Sequence, residues 1–242
     1  MEIKILSSKE IDREIANIFI KTIKDNPSCI LGLATGSSPL GVYRLLVEAY
    51  QNNEVSFKDV TSFNLDEYLG LDGSHNQSYR YFMNHNLFNH IDINKDNTHV
   101  PSGLNVSEEN AANYDAEIEA AGGIDLQILG IGSNGHIAFN EPGTPLDSLT
   151  HVVKLDESTR NDNARFFESI DEVPTHAVSM GLASIMKAKK IVLIATGPKK
   201  AQAIKALVEG DVTPELPVSV LKNHKDATIY VDEEAASLIS FK

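Results

Sequence analysis

A chain that keeps switching between short apolar, β-branched runs and longer stretches with helical spacing has few folds open to it. Such alternation feeds strands into a parallel sheet and lays the intervening helices over its faces. Residues 29–34, Cys-Ile-Leu-Gly-Leu-Ala, are one such run. Further strand candidates fall at 60–65, 124–129, 151–155, 175–179, 190–195 and 227–231, with a first strand region in the opening residues. Ile11, Ile15, Ile18, Phe19 and Ile23 recur at helical spacing and predict a helix over 8–26. Helices are also expected near 77–88, 107–121 and 198–209. In the last, Ala201, Ile204, Leu207 and Val208 form the apolar stripe while Lys205 faces solvent. No repeat, low-complexity tract or linker interrupts the 242 residues, so one domain over 1–242 is expected.

The net charge of −13 argues against nucleic acid as a partner, because no basic stripe offsets it. An anionic substrate must then be met by a few placed cations and backbone amides. With 42% hydrophobic and 23% charged residues the composition is that of a globular chain. The lone cysteine, Cys29, excludes an intrachain disulfide and reads as a small core residue in its apolar run, not as a nucleophile. Residues 1–9 lack a signal-peptide core, and no run of about 18 apolar residues is present. The expectation is a cytoplasmic chain that meets neither membrane nor nucleic acid.

Gly130-Ile131-Gly132-Ser133-Asn134-Gly135 spells the dinucleotide-binding GxGxxG directly after a strand, and Asp156 falls where a ribose-binding acid belongs. The fingerprint also needs a continuous helix to meet the pyrophosphate. Pro142, Gly143 and Pro145 interrupt the stretch that would have to supply it. The motif is a decoy.

The chemistry-bearing residues lie in other segments. Thr35-Gly36-Ser37-Ser38-Pro39, between a strand and a helix, fits either an anion cradle or an ordinary capped loop, with Ser38 as N-cap and Pro39 in the first turn. Phe63-Asn64-Leu65-Asp66-Glu67-Tyr68 sets two carboxylates at the C-terminal end of a strand, the edge where open parallel sheets bind ligands. Alternatively it is a solvated strand end. As a base, Asp66 needs burial or the neighbouring Glu67 charge to lift it from about 3.9. In the stretch from Asn134 to Gly143, a tight loop can return Glu141 onto His136 and fix its tautomer. Arg160 and Arg165, on a polar helical segment, and Lys200, near a helix start, supply cations that fit a phosphate or a plain surface. No His, Cys, Asp and Glu set has metal-ligand spacing, and His85 and His90 read as surface residues.

Taken in order, 33–39, 63–68, 135–142 and 159–167 resemble the motifs of the glucosamine-6-phosphate deaminases, in the glucosamine/galactosamine-6-phosphate isomerase family. The likeness runs over nearly the whole chain. It implies a Rossmann-like, doubly wound, mostly parallel α/β sheet with helices on both faces. It also implies conversion of glucosamine 6-phosphate to fructose 6-phosphate and ammonia without a cofactor or metal. In that scheme His136, oriented by Glu141, opens the sugar ring and Asp66 removes the C2 proton. Gly36, Ser37, Ser38, Arg165 and Lys200 would hold the phosphate, with Arg165 on a lid-like segment. The chain would act as a monomer or small homo-oligomer.

Many members of the family carry aspartate where this chain has Asn134. An amide can hydrogen-bond His136 but cannot stabilise its cation by charge. Whether Asn134 acts directly or only positions the ring stays open in the sequence. A 6-phosphogluconolactonase-like hydrolase is the alternative within the fold, but it needs no C2 base and leaves Asp66 without a task. A sugar-phosphate sensor would carry a helix-turn-helix and lack the set of Asp66, His136 and Glu141.

Overall fold

The computed structural model, which describes residues 1–104 and 106–240, opens with an edge strand β1 (Glu2–Ile5) and the helix α1 (Ser8–Asp25). Ile11, Ile15, Ala16, Phe19 and Ile23 form the buried face of α1, at the spacing the sequence set; Ile18 sits at the edge of that stripe and is only partly covered. The fully buried β2 (Ile30–Leu33) leads through the serine loop into α2 (Leu40–Gln51). Next come β3 (Thr61–Asn64), β4 (Asp66–Tyr68), α3 (Tyr79–Asn86), β5 (Thr98–His99), α4 (Glu108–Ala121) and β6 (Leu126–Gly130). The remainder runs β7 (His151–Lys154), α5 (Glu157–Asn163), β8 (His176–Ser179), α6 (Leu182–Met186), β9 (Lys190–Ala195), α7 (Ala201–Glu209), β10 (Ala227–Val231) and α8 (Glu233–Ala236).

Seven strands pair in parallel in the order β1-β10-β9-β6-β2-β3-β5, flanked by helices. From β2 the chain winds outward through β3 to β5; from β6 it winds the other way through β9 to β10. The reversal opens a crevice beyond the C-terminal ends of β2 and β6, where ligands of such sheets bind. The central strands are apolar because both faces are covered: Leu126, Ile128, Leu129, Ile191, Val192, Leu193 and Ile229 are fully enclosed. Each such side chain contributes about 1.5–3 kcal/mol of burial. Cys29 is enclosed among them, and burial pushes its thiol up to about 12, so it is the core residue expected.

Two expectations are corrected here. The strands at 151–155 and 175–179 exist, but β7 and β8 join β4 in a separate three-stranded antiparallel sheet. Apolar alternation marks a strand without saying which sheet it enters. The N-cap expected of Ser38 is not formed either. The first residue of α2 is Leu40, its cap is Pro39, and no side chain caps it. Ser38 instead turns its hydroxyl toward Gly130, where an added Cβ would lie 3.4 Å from Ser38 Oγ. The decoy is confirmed as one, since no helix follows Gly130 before β7. His85 and His90 are exposed, as expected.

A second, smaller core lies under the antiparallel sheet. Tyr68, Phe139, Leu155 and Ala177 are buried together, with Tyr79 and Phe167 packed against them. The Phe167 ring meets Tyr68 edge-on at 5.8 Å. This cluster seats the segment that carries Arg165. Among the described residues no helix is long and apolar enough to cross a membrane.

Candidate active site

Gly36, Ser37 and Ser38 leave the end of β2 at the switch point. Gly36 has φ +85°, a left-handed backbone that side chains disfavour, and this turns the loop back over the start of α2. Tyr43 of α2 anchors the loop from beneath: its hydroxyl donates to Ala34 O at 2.6 Å and accepts from Ala34 N at 3.1 Å. The next cation-bearing turn follows β9. Gly197 N–H donates to both oxygens of Asp232 at 3.0 Å, which fixes Pro198–Lys200 as one short turn ahead of α7. Arg165 comes from the turn Ala164–Phe166 directly after α5.

Asp66 is the first residue of β4, one step beyond the end of β3. Its strand leaves the parallel sheet to pair with β8, Asp66 opposite Ser179. Leu65 O accepts from Met180 N at 2.8 Å, so the carboxylate is held at the seam of the two sheets. It is only 6% exposed, and burial, reinforced by the Glu67 charge, pushes it up to about 8. Glu67 points away from the cavity and accepts from the N–H groups of Tyr68, Tyr79 and Arg80 at 2.9–3.0 Å. Burial raises Glu67 as well, against those three bonds.

The loop after β6 builds the second chemical group. An added Cβ on Gly132 would fall 2.1 Å from the His136 ring, so only glycine lets the imidazole lie there. His136 Nδ1 has Asn134 Oδ1 at 2.8 Å and Glu141 Oε2 at 3.5 Å. Both are acceptors, so Nδ1 carries a hydrogen, and in the neutral ring the lone pair falls on Nε2. Asn134 Nδ2 donates in turn to Glu141 Oε2 at 2.8 Å. The tight return of Glu141 expected from the sequence is present, but Asn134 stands nearer the ring and bridges the pair. Burial pushes the Glu141 carboxyl up, yet His136, Thr159 and Asn134 together hold it below the usual range. Ala138 at φ 50° and the Asn140 side chain, which donates to Ile137 O and Met180 O, lock the loop in this shape. Ser179 Oγ accepts from Phe139 N at 3.1 Å, so β8 braces this loop as well as Asp66.

One cavity of about 670 Å³ collects these groups. Gly36, Ser37, Ser38, Asp66, His136, Arg165 and Lys200 all line it, while Asn134 and Glu141 stand behind His136. Arg160 does not line it; its guanidinium donates to Ile170 O and Val173 O at 3.0 Å and so holds the segment that bears Arg165. Tyr79, Asn163, Thr159 and Asp12 also line the cavity, and the sequence reading missed them. Their spacing carried no signal, because they reach the crevice from three separate helices, Asp12 from α1, Tyr79 from α3 and Thr159 and Asn163 from α5. Among the described residues no cluster of three His, Cys, Asp or Glu is arranged to hold a metal.

A doubly wound sheet with a titrating carboxyl and a tautomer-fixed imidazole in one switch-point cavity defines an acid–base enzyme for a small substrate. The chain belongs to the family of glucosamine-6-phosphate isomerases/6-phosphogluconolactonase, whose model matches residues 6–230. It is 56% identical over 232 residues to the glucosamine-6-phosphate deaminase of Thermoanaerobacter sp. (strain X514), covering 96% of this chain and 92% of that one. The glucosamine-6-phosphate deaminase of Clostridium perfringens is 55% identical over 233 residues, 96% of either chain. A solved structure described as a monomeric glucosamine-6-phosphate deaminase shares 43% identity at TM-score 0.95, covering 98% of this chain and 100% of its own. A 6-phosphogluconolactonase from Trypanosoma cruzi, 20% identical with TM-score 0.80 over 99% of this chain and 97% of its own, shares the fold.

Proposed function

We propose that this chain is a glucosamine-6-phosphate deaminase, converting glucosamine 6-phosphate and water to fructose 6-phosphate and ammonia, a step of amino-sugar breakdown. The observation that carries the reading is the pairing of Asp66 with the His136–Asn134–Glu141 group on one cavity. A lactonase needs no carbon base, whereas a buried carboxyl raised to about 8 suits proton abstraction next to a carbonyl.

The substrate's phosphate sits among the Gly36–Ser38 loop, Arg165 and Lys200. His136 Nε2 handles the proton that leaves O1 and arrives on the ring oxygen as the C1–O5 bond breaks. Nδ1–H stays on Asn134, with Glu141 behind it to stabilise the imidazolium that forms. Asn134 is thus a positioning residue. The open aldehyde acidifies C2, and Asp66 takes that proton to give an enolamine. Proton delivery to C1 leaves an imine at C2; water adds there, and ammonia leaves as the ketone forms. The substrate's own carbonyl is the electron sink, so the sequence of steps calls for no cofactor.

The whole chain acts as a single sugar-phosphate isomerase/deaminase domain, monomeric in solution and placed in the cytoplasm. Its relative with 43% identity is described as monomeric. Assay of the purified protein with glucosamine 6-phosphate, reading ammonia and fructose 6-phosphate in equal amounts, tests the function. Light scattering after size-exclusion chromatography tests the state, with about 26.5 kDa expected.

A further inference from the structure

Glu141 uses its two oxygens for different neighbours. Oε2 faces Asn134 and the His136 ring; Oε1 accepts a hydrogen bond from Thr159 Oγ1. Thr159 lies on α5, the short helix that runs directly into the turn bearing Arg165, and is 4% exposed. Thr159, Asn163 and Arg165 line the cavity from this one segment. The segment is also tied to the catalytic strand, through Phe167 against Tyr68 of β4.

We infer that Thr159 is a positioning residue for ring opening: its hydroxyl orients Glu141 and so links the segment that carries Arg165 to the His136 group. The inference rests on the deaminase reading. A carboxylate turns easily about its last bond, because that torsion is broad and two-fold. One hydrogen bond to Asn134 leaves the plane of the group loosely set; a second, from the opposite side, fixes it. With Oε1 held by Thr159, Oε2 faces Asn134 Nδ2. The Asn134 amide is then oriented with Oδ1 toward His136 Nδ1, and Nε2 keeps its lone pair for the substrate. A phosphate held by Arg165 steadies α5, and through Thr159 it steadies the group that must move the ring-opening proton. The sugar phosphate thereby helps to order the site that acts on it.

The test compares Thr159→Val, which keeps the shape and removes the hydroxyl, with Thr159→Ser, which restores it. Both are measured alongside the parent with glucosamine 6-phosphate. Binding is measured separately with 2-amino-2-deoxyglucitol 6-phosphate, which carries the phosphate but has no ring to open. Thr159→Val should lower kcat by about tenfold or more, as for a lost hydrogen bond to a charged group. Its KM and its affinity for the alditol phosphate should change by less than about twofold, while Thr159→Ser recovers most of kcat. A cooperative thermal melt reports that the variant is folded; if Thr159→Val fails that check, Thr159→Ala takes its place beside Thr159→Ser. A Val or Ala variant with the parent's kcat overturns the inference. Parallel loss of kcat and alditol affinity, or a Ser variant no better than Val, also overturns it, since Thr159 would then only hold the segment in place. If the parent itself releases no ammonia, the deaminase reading fails first and this inference falls with it.

Discussion

At the scale of single residues, Asp66 carries two tests. Asp66→Asn keeps the shape and loses the base, so turnover should fall by about 10²–10⁴-fold while binding of the alditol phosphate persists. The same substitution has a consequence for stability. Asp66 releases its proton near pH 4 when unfolded but at about 8 when folded. Between those values the folded chain holds a proton the unfolded chain has lost, so the contribution is full below about pH 4. It is lost as pH rises through about 8. Asp66→Asn should therefore melt several degrees above the parent near pH 9, with the gap closing toward pH 5. Melts of both proteins across that range check it; a constant gap contradicts the burial of a protonated carboxyl. Asp66, His136 and Glu141 were visible as candidates because a polar side chain at a strand end or tight loop stands out against apolar runs, and the resemblance to the deaminases singled them out. Thr159 was not legible, because what matters is which helix crosses Glu141, and spacing along the chain does not contain that.

At the scale of elements, the serine loop and the two cation-bearing turns make separable predictions. Gly36→Ala forces a side chain into φ +85°, although nothing lies within 4 Å of the new Cβ. The cost is conformational, about 1–2 kcal/mol, and the relaxed loop should raise KM with kcat less affected. Arg165→Ala and Lys200→Ala should each weaken binding by about 1.5–3 kcal/mol, read as KM and as alditol-phosphate affinity. Unphosphorylated glucosamine should be insensitive to both; if affinity survives both changes, the phosphate lies elsewhere. The central strands of the large sheet match their predicted runs within a residue or two, since burial on both faces forces continuous apolar runs. The two-residue edge strand β5 was not predicted, because it is too short to leave a pattern. The small sheet was not foreseen. β4 is the short segment Asp66–Tyr68, too brief for an alternation pattern, and its partner β8, with β7 beyond it, comes from far along the chain. Yet this sheet places Asp66, braces the His136 loop through Ser179 and seats the Arg165 segment through Tyr68.

For the whole molecule, the acidic balance and the local cations are complementary. A chain of charge −13 repels anions at long range, and Arg165, Lys199 and Lys200 line the crevice that must attract one. Added salt should therefore change KM for the sugar phosphate far less than it would for a broadly basic enzyme. The sheet reversal between β2 and β6 creates that crevice, and Asp66 and His136 reach it from just beyond β3 and from the loop after β6. On the mechanism proposed for this chain, one cavity both opens the sugar and abstracts its C2 proton. Incubating the parent with glucosamine 6-phosphate and following ammonia and fructose 6-phosphate tests this most directly, with Asp66→Asn run beside it. The parent should release the two products in equal amounts, and the variant should release neither. No ammonia from the parent, or undiminished release from Asp66→Asn, would contradict it.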